Sequence, residues 1–271
     1  MKLSNLAISS LVTLASTNPT SECLPGLKPR PSLKPHPHSH GKPPPHSPPR
    51  VQYCYVHAKG NGSDDSQALF TAAKACNHGG VVALMDAQYT IAKPLDLTFL
   101  NSVDIVIQGE VSFTPDIPFW TGVGNTFDYQ FQGARLMIQI GGTDVNIYGG
   151  GTINGNGQIW WDTMVTNTSL ARPILFGIMG LKGGSVANIN MINPPNWFQF
   201  VANSSDLIFD NLNLTAKSLT KNPAKNSGML LSILYRAKDK FRPSLRLQAR
   251  PSMELIADNS VEHPFGCIQR S

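Results

Sequence analysis

The chain has 271 residues, 41% hydrophobic and 14% charged, which is enough apolar material for a sizeable core and excludes a chain disordered throughout. The formal net charge of +5 is unevenly spread: residues 1–50 carry six Lys/Arg and one acid, residues 51–228 nine and twelve, and residues 229–271 seven and four. The basic excess therefore lies at the two ends, which argues against a nucleic-acid partner for the middle of the chain.

Met1–Ser16 has the layout of a secretory signal, with Lys2 as the positive end, an apolar run over Leu6–Ala15, and small residues suited to cleavage at Ala15–Ser16. No other stretch approaches the roughly 18 apolar residues of a membrane span, so an extracellular protein without a membrane partner is expected. Residues 17–50 follow as a Pro/His-rich segment. Leu24–Arg50 alone holds ten prolines, five Lys/Arg, no acid, and His36, His38, His40 and His46. That composition buries no core and stays extended. Its prolines also keep the histidines from converging, so no metal or other cofactor is expected.

Folding is expected to begin near Val51. The turn Gly60-Asn61-Gly62-Ser63 feeds a helix over Ser66–Lys74, with Asp64 as its N-cap and Gln67 three residues on closing a capping box. On this reading Asp64 and Asp65 serve a helix start, not catalysis. Cys54 and Cys76 flank the helix and are the expected disulfide, while Cys23 and Cys267 lie in the two terminal segments. Four Asn-X-Ser/Thr sequons, at Asn61, Asn167, Asn203 and Asn213, are candidate N-glycosylation sites.

From Val81 onward the pattern changes to short β-branched runs punctuated by Gly and Asn, such as Val103–Gly109, Asp144–Gly149, Val186–Met191 and Asp206–Asn211. Aligned, these runs recur at steps of about 20 or 40 residues, read as one or two turns of a coil whose short strands stack on the previous turn. The expected fold class is all-β, a right-handed parallel β-helix over residues 51–228 with an N-terminal capping helix. A β-sandwich would show two-residue hairpin turns between alternating runs, and here the connections are longer.

Several motifs follow in order along the chain: Pro48-Pro49-Arg50, Gly60-Asn61-Gly62-Ser63-Asp64-Asp65-Ser66, Tyr148-Gly149-Gly150-Gly151-Thr152-Ile153-Asn154-Gly155-Asn156-Gly157-Gln158, Arg172-Pro173-Ile174-Leu175-Phe176, Leu181-Lys182-Gly183-Gly184 and Val201-Ala202-Asn203-Ser204-Ser205-Asp206. Through this ordered set the stretch from Val51 to about Asn226 resembles the polygalacturonases of glycoside hydrolase family 28, and most closely the front part of the fungal exo-acting branch. The resemblance implies a pectin-lyase-like solenoid, a pectin or galacturonan substrate and an extracellular site of action. It also implies inverting hydrolysis of α-1,4 galacturonosyl bonds by carboxylates that protonate the leaving oxygen and activate water.

The family delivers those carboxylates in an Asn-Thr-Asp-Gly motif and a Gly-Asp-Asp motif one coil later, followed by Gly-His-Gly and Arg-Ile-Lys. Here the first reads Asn226-Ser227-Gly228, without its aspartate, and residues 229–271 contain none of the others. Ser39-His40-Gly41 and Arg236-Ala237-Lys238 are chance lookalikes at the wrong coil count. Asp239, Glu254, Asp258 and Glu262 are scattered over a Lys/Arg/Pro-bearing tail, while Asp162 and Asp206 read as a turn acid and a strand-edge acid of earlier coils. No catalytic or substrate-binding residue is therefore assigned, and this chain is expected to be a truncated, inactive stack.

Residues 229–271 are expected to be an unrelated, unstructured tail, as a shifted reading frame would produce. Met229–Tyr235 is expected to lie across the open end of the stack, and self-association is expected through that end. A non-catalytic pectin-binding module is the alternative, with Trp120, Trp160, Trp161 and Trp197 either stacking on sugars or filling corners. A lyase would need clustered acids for Ca²⁺, and no such cluster is present in the sequence.

Overall fold

The computed structural model describes residues 47–130 and 133–222, and beyond them only the short strands Met229–Ser232, Arg246–Leu247, Leu255–Asp258 and Ile268–Gln269. The expected signal segment, Cys23, Cys267, the four histidines of the Pro/His-rich segment and Asn226-Ser227-Gly228 lie outside the described residues.

Strand β1 (Gln52–Tyr55) and helix α1 (Ser66–Ala75) lead into five coils. Coil one comprises β2 (Gly80–Leu84), β3 (Gln88–Ile91) and β4 (Leu95–Leu97). Coil two holds β5 (Asn101–Ile107) and β6 (Glu110–Phe113), then α2 (Ile117–Thr121) and the hairpin β7 (Phe127–Tyr129) and β8 (Ala134–Leu136), before β9 (Ile138–Ile140). Coil three runs through β10 (Thr143–Tyr148), β11 (Thr152–Asn154), α3 (Gln158–Met164) and β12 (Phe176–Met179). Coil four is β13 (Lys182–Ile192) and β14 (Gln199–Ala202), and coil five is β15 (Ser205–Thr215) and β16 (Met229–Ser232).

Stacking the coils gives three parallel faces. The first face is β1, β2, β5, β10 and the leading halves of β13 and β15. The second is β3, β6, β11 and the trailing halves of the same two long strands. The third is β4, β9, β12, β14 and β16. Inward Val, Ile, Leu and Phe from all three form one continuous core, and Trp120, Trp160 and Trp161 close its corners at 0%, 0% and 1% exposure.

The spacing of the runs needs correcting. Asn146 lies against Asp104, 42 residues back, and against Ser185, 39 residues on, while Asn188 lies against Asn211, only 23 residues on. Every one of these steps is a single turn. The long steps are turns enlarged by insertions between the second and third faces, α2 with the β7–β8 hairpin in one and α3 in the other.

The Gly and Asn punctuation has a backbone cause. Ser102, Asp144, Gly183 and Asp206, which stand in register at the start of the first face, all have φ between 53° and 70°. Asn188 and Asn211, in register at the bend between the first two faces, have φ of 52° and 48°. Asn, Asp and Gly tolerate this left-handed conformation and β-branched residues do not, so the corners carry the former and the strands the latter.

The expected capping box does not form. The N-cap of α1 is Asp65, and its buried carboxylate accepts from Lys59 N at 2.8 Å and Thr90 N at 2.9 Å, stitching the helix start to β3. Asp64 Oδ1 accepts from Ser66 N and Ala92 N, and Gln67 donates to Thr71 instead of reaching back. Long-range backbone donors outcompete the local box because α1 is clamped onto the first coil. Behind it, Cys54 and Cys76 are joined in a disulfide.

Two segments differ from expectation. Ser47–Arg50, assigned from sequence to the Pro/His-rich segment, is bound to the first face: Arg50 Nε lies 2.9 Å from Asp104 Oδ1 and Nη2 3.1 Å from Asp144 Oδ2, with Ser47 donating to Asp144. Within Met229–Tyr235, expected as a makeshift strand across the open end, β16 pairs parallel with β14 through Phe200 and Leu230 and so continues the third face. Three further strands, β17 (Arg246–Leu247), β18 (Leu255–Asp258) and β19 (Ile268–Gln269), follow in the segment 229–271.

At several glycines the backbones of neighbouring coils come too close for a side chain. A Cβ on Gly142, at φ +98°, would sit 1.8 Å from Leu100 O, whereas one on Gly124, at φ +79°, would meet nothing within 4 Å. Both positions share the left-handed conformational penalty, so Gly142→Ala is expected to cost about 1–3 kcal/mol more than Gly124→Ala. Urea unfolding of the two variants against the parent measures the difference.

Candidate functional site

The third face is singled out by the connections that enter it. Both insertions, α2 with its hairpin and α3, rise immediately before a strand of this face, and segments of this kind on a rigid scaffold are where binding and catalytic groups collect. The strand β16 that extends the face begins directly after Asn226-Ser227-Gly228.

Its middle row is fixed by register: Asp96 beside Gln139, then Gly177, then Phe200. Asp96 is exposed between buried Leu95 and Leu97, so this row faces out. Around it Leu136, Ile174, Phe200 and Ala202 form an apolar cluster separate from the main core, with Phe127, Tyr129, Met179 and Trp197 packed against it. Gly177 leaves room there for Leu136, whose Cδ1 would lie 2.6 Å from an added Cβ. Tyr129 meets Phe200 edge-on at 5.0 Å between centroids, seating the hairpin over the face. Arg135 ties the hairpin down, with Nε 3.6 Å from Asp128 and Nη1 donating to Thr121 O.

The other wall is α3. Trp161 Nε1 donates to Pro194 O at 3.1 Å and Arg172 Nη1 to Pro195 O at 2.7 Å, so both hold the loop that enters β14. Arg172 is buried, and desolvation pushes its guanidinium pKa below the usual arginine range. Nearby, Trp160 Nε1, Asn196 Oδ1 and Gln199 Oε1 are buried without a hydrogen-bond partner. Buried polar atoms are normally paired, so three orphans on α3 and the entry to β14 mark the least satisfied part of the described core. Sequence reasoning missed Asn196 and Gln199, and quoted Arg172 only as part of a motif. The signal available was polar residues within an otherwise apolar strand entry, Asn196-Trp197-Phe198-Gln199-Phe200.

The acids considered from sequence do not meet on this face. The acid that does stand in its middle row, Asp96, is not among them, and it accepts from Thr98 N and Oγ1 in its own turn. Asp206 occupies a left-handed corner of the first face. Asp162, expected as a turn acid, lies on α3 and holds the segment after β15, accepting from Asn222 Nδ2 at 2.7 Å, Thr220 Oγ1 at 2.8 Å and Gln158 Nε2 at 3.1 Å. Asp239, Glu254 and Glu262 lie outside the described residues. Of the expected sugar-stacking residues, only Trp197 is not fully buried. The four sequon asparagines, Asn61, Asn167, Asn203 and Asn213, are all exposed.

A second concavity lies away from this face, at the bend between the first and second faces. It is a cleft of about 350 Å³ lined by Tyr148, Gly149, Gly150, Asn188, Ile189, Asn190, Asn211 and Asn213. Asparagines ladder across it, Asn211 Nδ2 to Asn188 Oδ1 at 2.7 Å and Asn213 Nδ2 to Asn190 Oδ1 at 3.1 Å. Among the described residues, no three His, Cys, Asp or Glu side chains group to hold a metal ion, and no helix is long and apolar enough to cross a membrane.

Residues 79–227 match the family described as Glycosyl hydrolases family 28. The chain is 46% identical over 182 residues to Exopolygalacturonase X-1 of Emericella nidulans, an alignment covering 67% of this chain and 42% of that protein. It is 44% identical over 179 residues to an exopolygalacturonase of Cochliobolus carbonum, covering 66% and 40%. The chain thus spans about two fifths of the length of the curated relatives it matches. Among solved structures, the endo-xylogalacturonan hydrolase from Aspergillus tubingensis superposes with a TM-score of 0.60 at 30% identity, covering 68% of this chain and 49% of that one. The fold is the right-handed parallel β-helix of these pectin-degrading enzymes.

The Asp162 contacts yield a pH test. Hydrogen bonds from Asn222, then Thr220, outweigh desolvation and hold its carboxyl below the usual carboxylate range. A depressed folded pKa means that the latch is intact above the unfolded value, near 3.9, and is lost as pH falls through the lower folded value. Amide NMR shifts of Leu219–Asn222 are therefore expected to stay constant from neutral pH down to about pH 5 and to change only below the ordinary carboxylate range. Asp162→Ala is expected to show the loosened shifts already at neutral pH.

Proposed function

The chain belongs to glycosyl hydrolases family 28, and on that footing we propose that it carries the scaffold of a secreted pectin-degrading polygalacturonase but does not itself cleave galacturonan. The observation that carries this reading is the end of the family match at residue 227, inside an Asn226-Ser227-Gly228 that lacks an aspartate. Resemblance to exopolygalacturonases supports galacturonan as the substrate class and the extracellular space as the site of action.

Inverting hydrolysis requires one carboxylic acid to protonate the leaving oxygen and a second carboxylate to activate water, held about 6.5–9.5 Å apart across the scissile bond. The outward middle row of the third face offers Asp96, Gln139, Gly177 and Phe200, which is one carboxylate followed by an amide, a glycine and an apolar ring. That one carboxylate is engaged by Thr98. The described coils can therefore wall and position a polysaccharide, and they contribute no acid–base pair. Loss of both members of such a pair removes catalysis that positioning alone does not replace.

The 271-residue chain, purified from a secreting host, is expected to release no galacturonate from polygalacturonate above a mock-purified control. Inserting Asp between Ser227 and Gly228 alone is expected to leave it inactive, because the second carboxylate motif is still missing. Reducing-end release by either chain, above that control, overturns the reading. Retention on a polygalacturonate column without release favours the pectin-binding alternative over a chain with no function of its own.

A further inference from the structure

We propose that Asn213 carries an N-linked glycan whose first sugar is seated in the asparagine-lined cleft between the first and second faces, and that this cleft serves the chain's own glycan instead of substrate. Three observations converge. Asn213-Leu214-Thr215 is a sequon, Asn213 is exposed, and Asn213 is the one sequon asparagine that lines the cleft. At the other three the surroundings differ: Asn61 lies in an exposed turn, Asn167 in an exposed loop after α3, and Asn203 in the tight turn between β14 and β15.

The chemistry of the lining fits a neutral amino sugar. The cleft offers amide groups of Asn188, Asn190, Asn211 and Asn213 and the backbone of Gly149-Gly150, all of them uncharged hydrogen-bonding groups. Hydroxyl and acetamide groups match such a surface, whereas a galacturonate carboxylate would find no cation among the lining residues. The ladder also leaves room for the attachment in the folded chain. One Nδ2 hydrogen of Asn213 donates to Asn190 Oδ1, which in turn holds its own amide against Gly150 O and Gly151 O. The second hydrogen is the one replaced. In that transfer Nδ2 bonds to the anomeric carbon of a polyprenyl-pyrophosphate-linked oligosaccharide, the anomeric C–O bond breaks, the pyrophosphate leaves with the electron pair, and the amide nitrogen gives up one proton. The surviving Nδ2 hydrogen keeps the Asn190 contact, so modification and the ladder are compatible.

The inference rests on the secretory reading above, and its test separates the two. The full chain is expressed in a secreting fungal host, and sequon occupancy is mapped by peptide mass spectrometry. The native protein is then treated with an endoglycosidase that cuts within the chitobiose core. Asn213 is expected to be occupied and its glycan released about tenfold more slowly than those at the other occupied sequons. The Asn211→Ala variant, which leaves the sequon intact, is expected to keep the occupancy and lose the protection, and denatured protein is expected to release all glycans alike. A chain modified elsewhere but bare at Asn213, or one whose Asn213 glycan is released as fast as the rest, overturns this inference alone. A chain bare at all four sequons overturns the secretory reading with it.

Discussion

Everything in this protein hangs on parallel backbone pairing from one coil to the next. Each strand has its hydrogen-bonding partners in the coils before and after it, so a residue's surroundings depend less on its sequence neighbours than on the residues one turn away. Asp65 illustrates the consequence. A helix N-cap would locally commit its carboxylate to its own first turn. Here the first coil presents Thr90 N and the incoming chain presents Lys59 N, and the carboxylate goes to them. Long-range register therefore outranks local propensity even at a helix.

Register also explains why small and polar residues recur at the corners. At a bend the chain must adopt a left-handed conformation in coil after coil, and the corner side chains then stack on one another across coils. Asn serves both needs, since it tolerates the backbone and its amide donates to the coil before, as Asn211 does to Asn188. Glycine serves where two backbones come too close for a side chain, as Gly149 does with Ile107 O 2.2 Å from an added Cβ. The apolar strands supply most of the burial, and the corners supply the alignment that lets the strands stack.

The repeating runs and their punctuation make the solenoid legible from sequence, and the ordered motifs make the family legible. Coil size is not legible, because a turn that carries α2 and a hairpin has the same length as two bare turns, and periodicity alone does not distinguish them. The capping box misleads for a related reason: the distant donor that engages Asp64, Ala92 N, becomes visible only once the coil closes. The place of Arg50 is hidden inside a proline-rich composition that reads as solvated, while the two aspartates it joins, Asp104 and Asp144, lie 40 residues apart on neighbouring strands. The outward row of the third face is hidden too, since Asp96, Gln139, Gly177 and Phe200 belong to four different coils and share no local pattern.

The same nearest-neighbour logic bears on how the described coils hold together. In a stack whose coils contact only their neighbours, stability is close to a sum of coil and interface contributions, so coils one to three depend little on the chain beyond coil five. At the leading end α1 packs on β1, β2 and β4, and the Cys54–Cys76 disulfide ties it to β1. At the trailing end β15 buries Phe209, Leu212 and Leu214 to 6%, 3% and 6% exposure, yet its only described partner beyond β13 is β17, through Asp210 and Leu212. Among the described pairings the eleven residues of β15 rest chiefly on β13, and the unpartnered amide oxygens of Asn196 and Gln199 lie in the coil before it. The leading end thus combines a disulfide with helix packing, while β15 is paired along its whole length with β13. The part of the third face with the most described contacts is the hairpin over Phe200, where Tyr129 meets that ring edge-on and Arg135 reaches back to Thr121 O.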